Sequence, residues 1–375
     1  MEVNSKVTGE FDVEHQTGDF KMYRCQNCGA EILTNETTKA EFCGYCGKTS
    51  LIERRIEDQM LPAYVIPFRV NKEEAITFYK AWTKKGLLTP WKLKSKATIN
   101  KMMGMYVPFW LYDYKADMHM VADATRVRSE VRGDDRIVHT DHFEIVRDVE
   151  ADYIKVPADA SERMPDTLMD RLEPFMYAGL EEFDMSYLSG YYVEKYDYTS
   201  EEMTPRVEER IKDYIYDLTK GTITGYNSVD IRDYSSSLCK MKARYALLPV
   251  WMINYTYKGK KHMFAINGQT GKIVADRPID IIDGLLSFLL VTGIAYAVLL
   301  LLALDFVKNS SICLLIAIII GAFSVSMMAL RNRVKMTANG STYVNRNDMK
   351  ITVHTDKFIK TTTSRTNVDK AVKNK

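Results

Sequence analysis

The sequence predicts an α+β membrane protein of several domains, and three features of the chain support this prediction. Two cysteine pairs lie near the N-terminus, strand-like and helix-like segments alternate through the centre, and two long apolar runs lie near the C-terminus. Hydrophobic periodicity and run length are the primary signals of secondary structure and of membrane spans. The expected order is therefore a metal-binding ribbon, a central α+β region and a transmembrane helical hairpin.

The composition changes along the chain, and these changes mark five segments. Segments of low hydrophobicity and high charge remain disordered, whereas mixed segments of this length fold. We predict the following segments: a disordered acidic N-terminus (1–20), a zinc ribbon (21–55), a cytosolic α+β region (56–278), a transmembrane helical hairpin (281–330, with spans 284–304 and 312–330) and a basic cytosolic tail (331–375).

Four cysteines have the spacing of a closed metal site: Cys25, Cys28, Cys43 and Cys46. Each pair has the form Cys-x-x-Cys and is followed by a glycine, which permits a tight turn. Four thiolates at this spacing predict one structural zinc ion without an open coordination position. Iron in a rubredoxin-like site is the alternative. A disulfide arrangement is disfavoured, because it belongs to secreted proteins and the N-terminus shows no leader of that type.

Two uncharged apolar runs cover 21 residues (284–304) and 19 residues (312–330). As helices they extend for ~32 Å and ~28 Å, which is enough for a hydrocarbon core of ~30 Å. The seven residues between them favour an antiparallel hairpin. The alternative is a pair of buried helices in a soluble protein. Small residues spaced by four, Gly293 with Ala297 and Ala317 with Gly321, are consistent with close helix packing or with the general frequency of glycine and alanine in membrane helices.

Basic residues near the ends of the apolar runs predict the orientation of the hairpin. Cytoplasmic flanks of membrane spans are enriched in lysine and arginine. The basic residues outside the runs are Lys272, Arg277, Arg331, Arg333 and Lys335, whereas the loop holds Lys308. We expect a multi-pass protein of the cell membrane with two spans and with both termini in the cytoplasm.

The central region carries recognisable helix and strand signals. A capping-box pattern opens a helix at 71–86, and a second helix is predicted at 201–219. Strands are predicted at 106–114, 137–146, 247–257, 263–266 and 272–274. The segments 107–112 and 248–253 resemble each other, which is consistent with two related halves or with chance. Cys239 is expected to be a buried apolar side chain.

Charge is uneven although the formal net charge is only +2. Residues 69–101 hold nine lysines or arginines and two glutamates, together with Trp82 and Trp91. This segment is either a solvated face or a surface for anionic lipid, and we favour the solvated face. Residues 20–60 hold six basic and six acidic residues. A ribbon that binds phosphates should carry an excess of positive charge, so nucleic acid is a disfavoured partner.

No motif of a known catalytic type occurs in the sequence. Gly-x-Ser-x-Gly, His-Glu-x-x-His and a glycine-rich dinucleotide loop are all absent. We therefore assign no catalytic residue, no organic cofactor and no small-molecule substrate.

Six short blocks and the paired apolar runs together resemble a known family. The blocks are CQNCG (25–29), CGYCG (43–47), YVPFWLY (106–112), YLSGY (187–191), LLPVW (247–251) and NGQTGK (267–272). The combination resembles membrane-anchored zinc-ribbon proteins of Gram-positive bacteria, which often carry names borrowed from transcription factor IIB or a replication-restart helicase. The resemblance implies membrane-stress partners of the phage-shock-protein-A or stomatin-like type.

The expected function is that of a non-enzymatic adaptor or scaffold at the bacterial membrane. The expected contacts are the lipid bilayer and one or more protein partners. Two alternatives remain: a membrane-tethered nucleic-acid-binding protein, and an enzyme that acts on envelope components. Salt-sensitive retention of DNA or RNA favours the first alternative, and a deep pocket lined by carboxylates favours the second.

Overall fold

The computed structural model describes residues 17–34, 43, 45–46, 48–49, 51–85, 90–133, 135–275, 281–301, 310–331, 342–344 and 349–367. The strands are β1 (Thr17–Cys25), β2 (Glu31–Thr34), β3 (Leu51–Met60), β4 (Tyr64–Val65), β5 (Met103–Arg132), β6 (Asp135–Asp159), β7 (Glu181–Glu182), β8 (Tyr192–Glu194), β9 (Ser228–Tyr257), β10 (Lys260–Asn267), β11 (Ile273–Ala275) and β12 (Lys350–Asn367). The helices are α1 (Lys72–Lys85), α2 (Lys96–Ile99), α3 (Asp166–Leu172), α4 (Ser200–Lys220), α5 (Ile281–Leu301) and α6 (Ser310–Arg331). The fold class is α+β, as the sequence predicts. Residues 1–16 of the segment expected to be disordered lie outside the described residues.

The strands of the described residues belong to one mixed sheet. Its main path runs β11-β10-β9-β5-β8-β2-β1-β3, and β6 pairs with both β5 and β12. Strand β5 lies at the centre. It pairs with β9 along almost its whole length on one side, and with β8 and then β6 on the other side. The two similar segments of the sequence are direct neighbours here, since Val107 pairs with Leu248.

Three of these strands are much longer than the segments predicted from the sequence. Strands β5 and β9 each contain 30 residues, which corresponds to a length of ~100 Å. With β6 and β12 they form a projecting blade. The tail also differs from a simple basic extension, because β12 pairs with β6 over most of its length. Along the blade, Cys239 is exposed, so the expectation that it is buried is wrong.

Helices cover both faces of the sheet near its middle. The buried side chains of α4 are Met203, Val207, Ile211, Ile215 and Thr219. They pack against one face, and α3 packs against the opposite face through Leu168, Met169 and Leu172. The predicted start of α1 is confirmed, because Asn71 and Glu74 form the expected reciprocal cap. Helix α4 begins at Ser200, one residue before the predicted start, and its cap is formed by Thr199 and Glu202.

Among the described residues, one helix, over Gly284–Leu301, is long and apolar enough to cross a membrane. Helix α6 contains a shorter apolar stretch over Ser311–Met327. The two helices pack at Gly321, where a Cβ atom would lie 2.2 Å from Thr292 Oγ1. Ala317 is also buried, as expected. Gly293 has no atom within 4 Å of a built Cβ, so its predicted place in the contact is wrong. The contact face of α5 contains Phe288 and Thr292 instead.

The chain on both sides of these two helices is attached to the same buried residue, Glu173. Before α5, Lys272 Nζ donates a hydrogen bond to the main-chain oxygen of Glu173. After α6, the Tyr343 hydroxyl donates to Glu173 Oε2, and the Ile154 amide donates to the Tyr343 carbonyl at 3.0 Å. Arg210 completes the cluster at 2.8 Å from Glu173 Oε2. We call Glu173, Lys272, Arg210 and Tyr343 the Glu173 cluster.

Candidate metal centre

The first cysteine pair lies on a tight turn between β1 and β2. Gly29 adopts a φ of +73°, a conformation that side chains with a Cβ rarely accept. The Gly29 amide donates to the Cys25 carbonyl at 2.9 Å, and the Cys25 amide donates to the Ala30 carbonyl at 2.8 Å. These bonds bend the chain so that Cys25 and Cys28 present their sulfurs on the same side. The glycine predicted from the sequence is therefore required by the turn.

The second pair closes the site from the opposite side. The Cys43 amide donates to the Lys48 carbonyl at 2.7 Å. The four sulfur atoms lie within 4.8 Å of one another. The Sγ atoms of Cys25 and Cys46 are 3.6 Å apart, as are those of Cys28 and Cys43. Tetrahedral zinc with Zn–S bonds of about 2.3 Å would separate its sulfurs by about 3.8 Å, so the arrangement fits such an ion.

The environments of the four thiols differ. Cys25 and Cys43 are buried, whereas Cys28 and Cys46 lie nearer the surface. Burial raises the pKa of the Cys43 thiol, and burial also raises that of Cys28. Burial opposes ionisation of Cys46 as well, but hydrogen bonds, first from the Lys48 backbone, lower its pKa to about 7. A metal ion bound here requires all four as thiolates, so its binding releases protons.

The ribbon is not a separate module beside the α+β region. Strand β2 pairs with β8 through Ile32 and Leu33, and β8 pairs with β5. The ribbon strands thereby extend the main sheet. No sequence pattern predicts this junction, because β8 is only three residues long. The four sulfurs therefore lie against the edge of the large fold.

Three side chains that the sequence analysis did not select attach the second pair to the fold. Tyr45, between Cys43 and Cys46, donates through its hydroxyl to Met105 Sδ at 3.6 Å. The Arg163 guanidinium lies 6.0 Å from the centre of the Tyr45 ring and donates to the Gly29 carbonyl at 3.0 Å. One arginine thus contacts both halves of the metal site, and it comes from the segment between β6 and α3.

Glu194 is the third of these side chains, and it is buried beneath the ribbon. The Ser161 hydroxyl donates to its Oε1 at 2.6 Å. Burial raises the pKa of Glu194 to about 7, although hydrogen bonds from Ser161 and Tyr45 act in the opposite direction. A carboxylate in this place links the ribbon turn, the sheet and the α3 segment. Its pattern in the sequence is that of any surface glutamate, so no local signal identifies it.

The structure brings together all four cysteines that the sequence selects. The donor set fits a closed metal site with four sulfur ligands. Such a site holds a metal for structural purposes, because no ligand position remains for water or substrate.

Comparison with known proteins places the chain in a family. No protein-family model and no solved structure matches this sequence. The curated protein YdjG of Bacillus subtilis strain 168, described as an uncharacterized protein, is 43% identical over 306 residues. The aligned region covers 68% of this chain and 90% of YdjG. This degree of identity over most of the length of YdjG shows the family. The chain, an α+β protein with a four-cysteine cluster, therefore belongs to the YdjG family.

Proposed function

We propose that this protein is a non-enzymatic adaptor of the bacterial cell membrane. Its zinc ribbon and α+β region face the cytoplasm, a two-span hairpin anchors them, and the cytoplasmic part recruits a protein partner to the bilayer. The single observation that carries the proposal is that the chain before α5, at Lys272, and the chain after α6, at Tyr343, both attach to Glu173.

The attachment of both ends supports two spans rather than one. If α5 crosses the bilayer, residues 302–309 begin on the far side. Fully extended, the nine chain steps from Leu301 to Ser310 reach at most ~32 Å, less than the ~40–45 Å of a whole bilayer with its headgroups. The chain must nevertheless return to Tyr343, on the side from which it left. Helix α6, with 22 residues and a length of ~33 Å, then makes the return crossing.

The distribution of basic residues supports a cytoplasmic location for the folded part. Arg331 ends α6, and Lys272 and Arg277 precede α5, while the connecting segment holds only Lys308. This excess of positive charge at the ends near the α+β region matches cytoplasmic flanks. Four reduced cysteines in one site are also typical of a cytoplasmic compartment.

The metal site supports an adaptor rather than a catalyst. Four sulfur ligands fill a tetrahedral coordination sphere, which makes the ion a structural element of the ribbon. Zinc in this place would hold the turns of β1 and β2 against the second cysteine pair. The resemblance described above points to phage-shock-protein-A-type or stomatin-like partners. The ribbon surface is the part of the fold whose shape depends on the metal.

Affinity capture from membranes tests this proposal directly. Tagged full-length protein is extracted in mild detergent, and the captured proteins are identified by mass spectrometry. We expect a membrane-associated partner that is lost when Cys25→Ser and Cys28→Ser are combined. Cys239→Ser is the matched control, because this cysteine is exposed on β9 far from the site. A partner set that is the same in all three proteins would contradict the ribbon as the contact.

A further inference from the structure

Residues 75–101 contain seven lysines and no aspartate or glutamate. Five of these lysines have described side chains, all exposed: Lys80, Lys84, Lys94, Lys96 and Lys101. We call these five the lysine surface. They lie on α1, on α2 and in the turns that flank α2. The two glutamates of α1, Glu73 and Glu74, lie in its first turn, so the rest of the segment presents an excess of positive charge.

The buried side of the same segment packs against the end of the sheet that leads into α5. Tyr79, Trp82, Leu93 and Met102 belong to one apolar cluster with Ala275, the last residue of β11. Five residues separate Ala275 from Ile281, the first residue of α5. Six steps of extended chain reach at most ~22 Å. The segment therefore lies close to the point where the chain enters the apolar helix.

The lysine surface and this apolar cluster alternate along the chain. Lys94 directly follows the buried Leu93, and Lys101 directly precedes the buried Met102. Lys101 and Ala275 also line the same cleft, of about 590 Å³, beside the metal site. The exposed charges are thus on the outer side of the element that covers the end of β11. The sequence alone does not show that these lysines lie beside the end of β11.

Trp82 is 7% exposed and its ring lies 4.9 Å from that of Phe264. It is therefore a core residue, and it is not placed to enter a lipid interface. Any attraction of the segment to a membrane must come from its charges. An attraction of this kind decreases with ionic strength, because salt screens exposed charges beyond about 10 Å at 0.1 M.

We propose that the lysine surface binds the phosphate headgroups of anionic phospholipids in the bilayer that α5 enters. This inference rests on the proposed membrane anchor and deepens it, since it assigns a second, electrostatic contact with the lipid. The charge complements an anionic leaflet, and the short chain from Ala275 to Ile281 keeps the surface near that leaflet. The contact would hold the α+β region in one orientation relative to the membrane.

Amine-reactive footprinting of the full-length protein in lipid nanodiscs tests the inference. The modification rate of each lysine is measured by mass spectrometry in phosphatidylcholine alone and in a mixture with phosphatidylglycerol. We expect the five lysines to react about fivefold more slowly with the anionic lipid, the factor that corresponds to ~1 kcal/mol per basic residue. High salt should restore their rates. Internal controls are Lys220 and Lys357, which are exposed and lie roughly 65 Å along the blade from Met103.

Other outcomes would contradict either this inference or the proposed membrane anchor. Equal rates in both lipids, or equal slowing of Lys220 and Lys357, would overturn the inference. If inorganic phosphate alone slows modification of these lysines in phosphatidylcholine discs, their ligand is a soluble phosphate instead of a lipid. If duplex DNA alone slows it, their ligand is nucleic acid. Failure of the protein to enter nanodiscs would refute the proposed anchor itself. A variant with all five lysines changed to glutamine should retain less phosphatidylglycerol on purification than one with Lys220→Gln and Lys357→Gln.

Discussion

Tyr343→Phe is the substitution that tests the return of the chain to the folded body most specifically. The Tyr343 side chain is 3% exposed, and its hydroxyl donates to the carboxylate of Glu173, which is 1% exposed. The ring packs beside Tyr214, with 6.0 Å between ring centres. Phenylalanine keeps the ring and removes only the hydroxyl. The change therefore isolates one hydrogen bond to a buried acid.

The expected cost follows from the nature of the acceptor. A hydrogen bond to a charged group contributes about 1.5–3 kcal/mol, and a buried acceptor left without its donor loses that contribution. Arg210 still donates to Glu173 Oε2, so the lower part of the range applies. We expect the free energy of unfolding to fall by about 2 kcal/mol. Tyr343→Ala should cost more, about 3–5 kcal/mol, because it also removes a buried ring.

The cost should increase with pH. Burial raises the pKa of Glu173 to about 7, against the hydrogen bonds from Tyr343 and Arg210, which favour the ionised form. Loss of the Tyr343 donor raises this folded-state pKa further, so the variant binds a proton in the folded state at higher pH. Its stability therefore falls more steeply than that of the wild type as pH rises above about 7.

Urea unfolding of the full-length protein in detergent, followed by near-ultraviolet circular dichroism, measures these differences. Thr342→Ala is the matched control, because Thr342 is the exposed neighbour of Tyr343. We expect the control to retain wild-type stability within about 0.5 kcal/mol. A Tyr343→Phe variant as stable as the wild type, or one with the opposite pH trend, would refute the assignment of Tyr343 to the Glu173 cluster.

Three further predictions concern the metal site and the centre of the sheet. Elemental analysis should find one zinc or iron ion per chain, and Cys43→Ser should lose it along with protection of the ribbon amides from hydrogen exchange. Glu194→Gln should gain about 2 kcal/mol relative to wild type between about pH 5 and about pH 8, because a buried carboxyl with a pKa of about 7 no longer has to ionise. Gly104→Ala should cost about 1–3 kcal/mol in urea unfolding, since its Cβ would lie 2.6 Å from Tyr191 Cδ1.

Each of these predictions has its own contradicting result. A full metal content in Cys43→Ser would remove this cysteine from the ligand set. A Glu194→Gln difference that is constant with pH would mean that Glu194 is ionised throughout. For Gly104, a Tyr191→Ala background removes the clash, so an unchanged cost in that background would contradict the steric explanation. The Tyr191 ring cannot simply move away, because it stacks on Phe68 at 4.1 Å.

The four-cysteine cluster was predictable because its signal is local. Two Cys-x-x-Cys turns contain both the ligands and the glycine that bends the first turn, so spacing alone identifies them. Residues that hold the site to the fold come from distant segments. Arg163 and Glu194 carry no pattern that separates them from surface residues, and only the pairing of β2 with β8 brings them beneath the ribbon.

The lengths of the blade strands were underestimated for a physical reason. Residues 116–124 of β5 alternate buried and exposed side chains, which is the period of a strand. The buried positions there are alanine and methionine, such as Ala116, Met118 and Ala122, which are not among the β-branched and aromatic residues enriched in strands. Aromatic and β-branched residues made the first part of β5 recognisable. The expectation that Cys239 is buried is wrong because this residue lies on β9 outside the continuously buried part of the strand. Its residue type alone does not show on which part of a long strand it lies.

The place of the C-terminal tail depends on contacts that are distant in sequence. Strand β12 pairs with β6 more than 200 residues earlier, and Tyr343 bonds to Glu173, 170 residues away. A basic segment rich in threonine gives no indication of such partners. The two helix caps and the turn at Asn267 were predictable, because each depends on side chains within four residues.

Labelling of introduced cysteines in intact cells tests the central claim most directly, namely that two spans leave and rejoin one cytoplasmic body. Asn309→Cys lies between the apolar helices, and Asn367→Cys lies at the end of β12. With a maleimide that cannot cross membranes, we expect labelling of Asn309→Cys alone in intact cells, and of both after permeabilisation. Labelling of Asn367→Cys in intact cells, or protection of Asn309→Cys until permeabilisation, would contradict the hairpin.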